Sequence, residues 1–270
     1  MIKLYLKFVE AIALIFTPLF RFIVNTVFPN VVQKRLFTLF FSLISFKNVK
    51  PSHYSFRSIQ EFFTRAPESK FSFKGHISSP VQGFLYTCDY VHNSSLFHVK
   101  GLPYSLNELL PFSYANEFKE ALFHSIYLSP QDCHRVYVPV DASLLSIDYV
   151  SGECRPVRDL WMRHYPNLFC RNERCVFRFQ NDEWDVVLVM IAALNVGGIQ
   201  INILPQISSY SGPKQTSKRL FEGAFTCSKG DRLATFLLGS SVVLITKPRV
   251  KNKKIFCMDT QKLEIGDLLI

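Results

Sequence analysis

Apolar residues follow two regimes along the chain. In residues 1–47 they form near-continuous runs, Leu4 to Phe28 and Leu36 to Phe46, interrupted by Lys7, Glu10, Pro18 and Arg21 and separated by Lys34-Arg35. From Ile77 they come in short β-branched and aromatic runs divided by Gly, Pro, Asn and Ser, the pattern of strands. This predicts strands over Phe84–Val91, Phe123–Leu128, Val136–Val140, Ser143–Tyr149, Arg174–Phe179, Asp185–Ala193 and Gly198–Ile203. Residues 218–247 return to β, with two short strands around the Gly239-Ser240-Ser241 step. The connector 48–76 holds one short helix, opened by Ser58 with Glu61 three residues on, a capping box, and ended before Pro67. Lys100 to Leu110 reads as a turn followed by a capped helix, Pro205 to Ser217 as a flexible polar loop, and 248–270 as a basic, loosely packed tail. The expected fold is α+β: N-terminal membrane-associated helices, 1–47, followed by a mainly antiparallel β core in a catalytic-type domain, 48–270.

The membrane expectation comes from run length and flanking charge. The uncharged stretch Ala11 to Phe20 is too short to span a bilayer, which needs about 20 apolar residues. Short apolar helices with basic ends suit shallow insertion at a membrane surface. Packing on the protein's own core or on a second protomer, as in a homodimer, is the competing reading; a single tilted span from Leu4 to Phe28 is opposed by its internal charges. The formal net charge of +10 calls for an acidic partner. The Lys and Arg residues are scattered and no nucleic-acid signature accompanies them, which leaves an anionic membrane as the partner. The seven cysteines include no Cys-x-x-Cys pair, and Cys170 and Cys175 lack a matching His pair, so no metal site is expected. Met1 to Pro18 has no small-residue cleavage site of a signal peptide.

Gly239 removes a Cβ where the chain bends, and Ser240 follows with its hydroxyl within attacking distance of the Gly239 carbonyl. Alone, the pair reads as a turn in a β protein. Other blocks change this: Glu61-Phe62-Phe63-Thr64-Arg65, Ser129-Pro130-Gln131-Asp132-Cys133-His134-Arg135-Val136-Tyr137-Val138-Pro139, Asn167-Leu168-Phe169-Cys170-Arg171-Asn172-Glu173-Arg174, and Ala193-Leu194-Asn195-Val196-Gly197-Gly198-Ile199. In this order and spacing, over about residues 55 to 247, the chain resembles the phosphatidylserine decarboxylase proenzymes, a pyruvoyl-dependent, membrane-associated family. The resemblance implies a carboxy-lyase that is cut between Gly239 and Ser240, leaving long and short chains that stay associated. Ser240 becomes the pyruvoyl cofactor, whose ketone captures the amine of phosphatidylserine and accepts electrons as carbon dioxide leaves to give phosphatidylethanolamine. It also implies a peripheral position on the cytoplasmic face of the cell membrane, His134 as the acid that protonates the product, and Asp132 orienting His134 or contacting the headgroup.

Two positions depart from the family pattern. The self-cleavage relay pairs an Asp, in a Ser/Thr-Pro-x-Asp-Gly turn, with a second His; here Gln82 stands in the turn and Tyr137 in the second block. Gln82 carries no charge to stabilise an imidazolium, and Tyr137, with a usual pKa near ~10, is a reluctant base. Either another base has taken over, with His98, Asp89 or Tyr137 itself as candidates, or the chain is a degenerate relative that binds anionic lipid or a partner without maturing. Restoring both positions, Gln82→Asp with Tyr137→His, is expected to speed cleavage if the relay is eroded.

Overall fold

A computed structural model describes residues 19, 22–44, 51–68, 70–91, 96–99, 102–111, 113–153, 155, 159–193, 198–207, 217–237, 240–250 and 257–270. Most of residues 1–21, the 208–216 part of the polar loop, Gly239 of the cleavage step and Leu194 to Gly197 lie outside them.

The helices are few. α1 (Asn30–Leu43) buries Gln33, Phe37 and Phe41 on one side, while Val31, Val32, Leu39 and Leu43 stay exposed on it. α2 (Ile59–Phe63) is started by Ser58, whose hydroxyl accepts the Glu61 amide at 3.1 Å, as the capping box predicts. The Glu61 carboxylate reaches back to the Arg57 amide rather than to that of Ser58. Short helices α3 (Leu106–Leu109), α4 (Asp159–His164) and α5 (Leu168–Arg171) follow, with 3-10 turns at Pro51–Tyr54 and Ser113–Phe118, and residues 22–25 are also helical. Among the described residues no helix is long and apolar enough to cross a membrane.

Among the described residues there are thirteen strands: β1 (Gly83–Tyr90), β2 (Leu96–Val99), β3 (Leu102–Ser105), β4 (Leu122–Leu128), β5 (Arg135–Tyr137), β6 (Ala142–Val150), β7 (Arg174–Gln180), β8 (Trp184–Ala192), β9 (Ile199–Ile201), β10 (Ser217–Cys227), β11 (Arg232–Phe236), β12 (Ser240–Pro248) and β13 (Gln261–Leu263). An eight-stranded antiparallel sheet runs β10-β6-β7-β8-β12-β4-β1-β13, and a three-stranded sheet runs β5-β11-β9. β2 and β3 form a separate hairpin that leads into α3; the turn expected at Lys100-Gly101 lies outside the described residues.

Strand alternation divides the core. On β12, Val242 and Leu244 pack with Val136, Leu233, Ala234 and Phe236 of the three-stranded sheet. Val243 and Ile245 point to the other face, against Leu106, Leu109, Leu168 and Phe169 of the covering helices. β12 lies between β8 and β4, so it is buried on both faces, which explains its unbroken apolar run. The C-terminal segment is not a loose tail. β13 pairs with β1, Leu263, Ile265 and Leu269 are buried, and the Ile270 amide donates to Ile77 at 3.1 Å. Its lysines hide a short apolar pattern that only the β1 edge makes regular.

The N-terminal elements do not stand apart from the core. Phe37 and Phe41 of α1 interlock with Phe62 at ring-centroid separations of 6.2 and 5.2 Å, and Phe40 packs on Phe63 at 5.7 Å. The packing thus crosses the boundary expected at residue 47.

Candidate active site

Ser240 opens β12, paired on one side with Leu128 of β4 and on the other with Ala192 of β8. It shares the parity of Val242 and Leu244, so its side chain points into the layer between the two sheets. Its Oγ is buried and has no hydrogen-bond partner among the described residues. An unpaired buried hydroxyl costs free energy.

His134 enters the same layer from the opposite sheet. Cys133 and Tyr137 pack together with Ile265 on one side of the segment, whereas Val136 joins the inter-sheet core. His134 has the parity of Val136 and so faces the eight-stranded sheet. Two chain segments cross between the sheets at this point: Ser240 pairs with Leu128, and the His134 carbonyl accepts the Phe236 amide at 3.0 Å. The segment from Leu128 to His134 is thus tied at its start to Ser240 and at its end to Phe236, which brings His134 and Ser240 to the same end of the layer.

The environment of His134 fixes its tautomer. Its Nδ1 lies 2.9 Å from the Asp132 carbonyl, which can only accept, so Nδ1 carries the proton and Nε2 keeps its lone pair. Nε2 is buried and has no partner among the described residues. The ring meets Phe63 edge-on at 4.8 Å. Burial, with a smaller push from the Arg65 guanidinium, lowers the His134 pKa to about 4 against the counter-pull of the Asp132 carbonyl. The imidazole is neutral at neutral pH.

Asp132 orients His134 through its backbone, not its carboxylate. The carboxylate accepts the Ser129 amide at 2.7 Å and lies 4.0 Å from Lys262, closing the turn that carries His134. α2 clamps this turn from outside: Arg65 donates to the Gln131 carbonyl at 2.7 Å, and Arg135 donates to the Thr64 carbonyl at 3.0 Å.

Gln82 and Tyr137 are elsewhere. Gln82 Oε1 accepts the Cys133 amide at 2.8 Å, and its Nε2 donates to Glu264 at 2.7 Å. It lines a cleft of about 490 Å³ with Arg65, Glu68, Phe71, Lys74 and Glu264. Gly83, next to it, must be glycine because a Cβ would meet the Tyr127 carbonyl at 2.6 Å. Tyr137 packs against Phe71 and Phe73 at 5.0 and 6.4 Å, and burial raises its phenol pKa. Both lie on the Cys133 side of the segment, turned away from Ser240. Of the proposed replacement bases, Asp89 lies on β1 opposite Phe123 and His98 on the β2-β3 hairpin. Neither strand borders β12.

The Asn172-Glu173-Arg174 run has a structural reading that sequence alone did not give. Asn172 donates to Arg155 and Ala192 carbonyls at 2.9 Å each, and Arg174 donates to Leu109, Glu108, Cys170 and Asn172 carbonyls. Through Ala192, the β8 neighbour of Ser240, these residues fix the floor of the site. Gly198, at φ +146, lets the other wall approach: its carbonyl accepts the Leu237 amide at 3.1 Å, and a Cβ there would lie 2.8 Å from the Leu237 side chain.

Comparison with known proteins supplies the family. The sequence profile of the family described as phosphatidylserine decarboxylase matches residues 59–270. The phosphatidylserine decarboxylase proenzyme of Campylobacter jejuni is 32% identical over 238 residues, 85% of this chain and 88% of its own. Those of Alcanivorax borkumensis and Methylobacillus flagellatus are 32% and 33% identical over 197 and 201 residues, covering 70% and 73% of this chain and 68% and 72% of theirs. A buried serine and a neutral histidine at one sheet junction thus stand within a match that takes in the whole β core, and the chain belongs to the phosphatidylserine decarboxylase family of carboxy-lyases.

Proposed function

We propose that this chain decarboxylates phosphatidylserine to phosphatidylethanolamine after cutting its own backbone between Gly239 and Ser240, the two pieces remaining held in one sheet. The observation that carries the reading is the Ser240 hydroxyl, buried without a partner and facing the inter-sheet layer that His134 also faces. A pyruvoyl group would take the place of Ser240 at the start of β12, and the surroundings fit it: a small neighbour, Ala192, and a buried layer. There it would supply an electron-accepting ketone. His134 holds the proton that the product carbon requires. In the ligand-free pocket its basicity is depressed, and the anionic phosphate and carboxylate of the substrate would raise it towards neutrality on entry, charging the ring where it is needed. The family match favours this reading over the non-reacting one. The test is the intact mass of purified protein, expected as two chains with a blocked start on the shorter one, together with carbon dioxide release from phosphatidylserine vesicles. A single intact chain with no product would overturn it.

The substrate sits in a membrane, and the N-terminal segment offers a way to reach it. Leu19, Phe22, Val27, Val31, Val32, Leu39 and Leu43 are all exposed, and Lys34 and Arg35 lie among them. This apolar face with basic residues suits peripheral attachment to the anionic cytoplasmic face of a membrane. Deleting residues 1–47 would also strip Phe37 and Phe41 from Phe62, so it is a poor test. Val31→Glu with Leu39→Glu and Leu43→Glu alters only exposed positions. It is expected to abolish co-sedimentation with phosphatidylserine-containing vesicles while leaving chain cleavage unchanged. Full vesicle binding by the triple variant would sink this attachment mode.

A further inference from the structure

We propose that His134 itself activates Ser240 for self-cleavage in this chain, so that one imidazole serves both maturation and the later proton transfer; this rests on the maturation reading above. Three observations point the same way. The Nε2 lone pair is available because Nδ1 is spent on the Asp132 carbonyl, and Nε2 is buried with no partner among the described residues. Ser240 Oγ is in the same condition, and the register brackets the two at one crossing between the sheets. The positions that the resemblance assigns to the relay are committed elsewhere, Gln82 to Cys133 and Glu264 and Tyr137 to Phe71 and Phe73.

Counted along β5, Tyr137 is three residues beyond His134, about 10 Å further from the crossing at the usual strand rise. Its side chain also has the opposite parity. The groups around the His134 ring are Phe63, the Arg65 guanidinium and the Asp132 carbonyl; burial and the guanidinium keep the ring neutral against the pull of the carbonyl, and it is therefore able to accept a proton. Ser240 Oγ and His134 Nε2 are not hydrogen-bonded to each other at rest, and catalytic bonds of this kind tighten in the reacting geometry.

Nε2 takes the Ser240 hydroxyl proton as Oγ bonds to the Gly239 carbonyl carbon. The Gly239–Ser240 C–N bond breaks, the imidazolium returns the proton to the departing nitrogen, and an ester links the two halves. The neutral ring can then take the Ser240 Cα proton as the Cβ–Oγ bond breaks and residue 239 leaves as a carboxylate. Tautomerisation, addition of water and loss of ammonia complete the change, with no oxidant or reductant consumed.

The test is a time course of chain cleavage in the full-length protein after cell-free synthesis, with folding followed by cooperative urea unfolding. Wild type is compared with His134→Ala, His134→Asn and the double Gln82→Asp with Tyr137→His. Asn keeps a donor for the Asp132 carbonyl while removing the base, so it preserves the fold better than Ala. His134→Asn is expected to slow cleavage by roughly 10²- to 10⁴-fold, and imidazole added to His134→Ala to restore part of the rate. The double variant is expected to cleave no faster than wild type. Wild-type cleavage with either folded His134 variant keeping pace would overturn the proposal and leave the maturation reading standing, as would acceleration in the double. Wild type that never cleaves would overturn both.

Discussion

Ser240→Ala is expected to remain a single chain of 31.2 kDa and to release no carbon dioxide from phosphatidylserine, however long it is incubated. Removing one oxygen deletes the only atom proposed to attack the Gly239 carbonyl. The same change should not harm the fold. Oγ is buried and makes no hydrogen bond among the described residues, so its loss removes a desolvation cost and leaves the pairing with Leu128 and Ala192 untouched. A gain of about 1 kcal/mol in urea stability is expected, since an unpaired buried hydroxyl costs roughly 1–3 kcal/mol. Loss of all activity with a gain in stability is the mark of a site kept strained for chemistry. Intact mass and the urea midpoint check both halves. A cleaved Ser240→Ala chain would place the cut elsewhere, and a destabilised one would mean that the hydroxyl has a structural partner.

The architecture around that serine was largely legible in the sequence. β1, β4, β6, β7 and β8 fall within a residue or so of the runs that predicted them, because β-branched and aromatic stretches bounded by Gly, Pro and Asn have few other uses. What sequence could not supply was parity across distance. That His134 and Ser240 face one layer follows from β5 lying in one sheet, β12 in another, and both chains crossing at the same end. The resemblance placed Gln82 and Tyr137 as relay positions, yet parity turns Tyr137 towards Phe71, and the amide of Gln82 is drawn to Cys133 and Glu264. The C-terminal residues depart from the expected loose tail for a related reason. Leu263, Ile265 and Leu269 are too few to declare a strand, and their burial depends on β1, far away in sequence.

The aromatic cluster of the N-terminal region gives the site a second connection. Phe62 touches Phe37, Phe40 and Phe41 on one side and carries the Arg65 guanidinium at 4.2 Å on the other. Arg65 grips the Gln131 carbonyl, and Phe63 abuts the His134 ring. The surface proposed to meet the membrane is therefore packed, through two rings and one guanidinium, onto the turn that carries the proposed acid. Contacts of this kind tie α1 to α2 across residue 47.

Acid should unfold this protein earlier than its carboxylates alone would require. His134 and His124 are both fully buried, and burial lowers each pKa to about 4, opposed by the Asp132 carbonyl at His134 and by the Leu244 backbone at His124. The unfolded chain takes up these protons near ~6.5, whereas the folded chain does so only near ~4. Between those values the unfolded state binds more protons, so stability rises with pH through the window and is lost as pH falls through it. At about 1.4 kcal/mol per pH unit, each histidine removes up to about 3 kcal/mol. Together they are comparable with the roughly 5–15 kcal/mol that holds a domain folded. His124, on β4 between Cys88 of β1 and Leu244 of β12, has no part in the proposed chemistry, which allows a separation. His124→Leu should remove about half of the stability loss between pH 7 and pH 4.5 while leaving cleavage intact. Urea midpoints at the two pH values for wild type and His124→Leu decide the matter: a wild-type midpoint that does not move, or a variant that loses as much as wild type, would show that the buried histidines are already protonated in the folded chain.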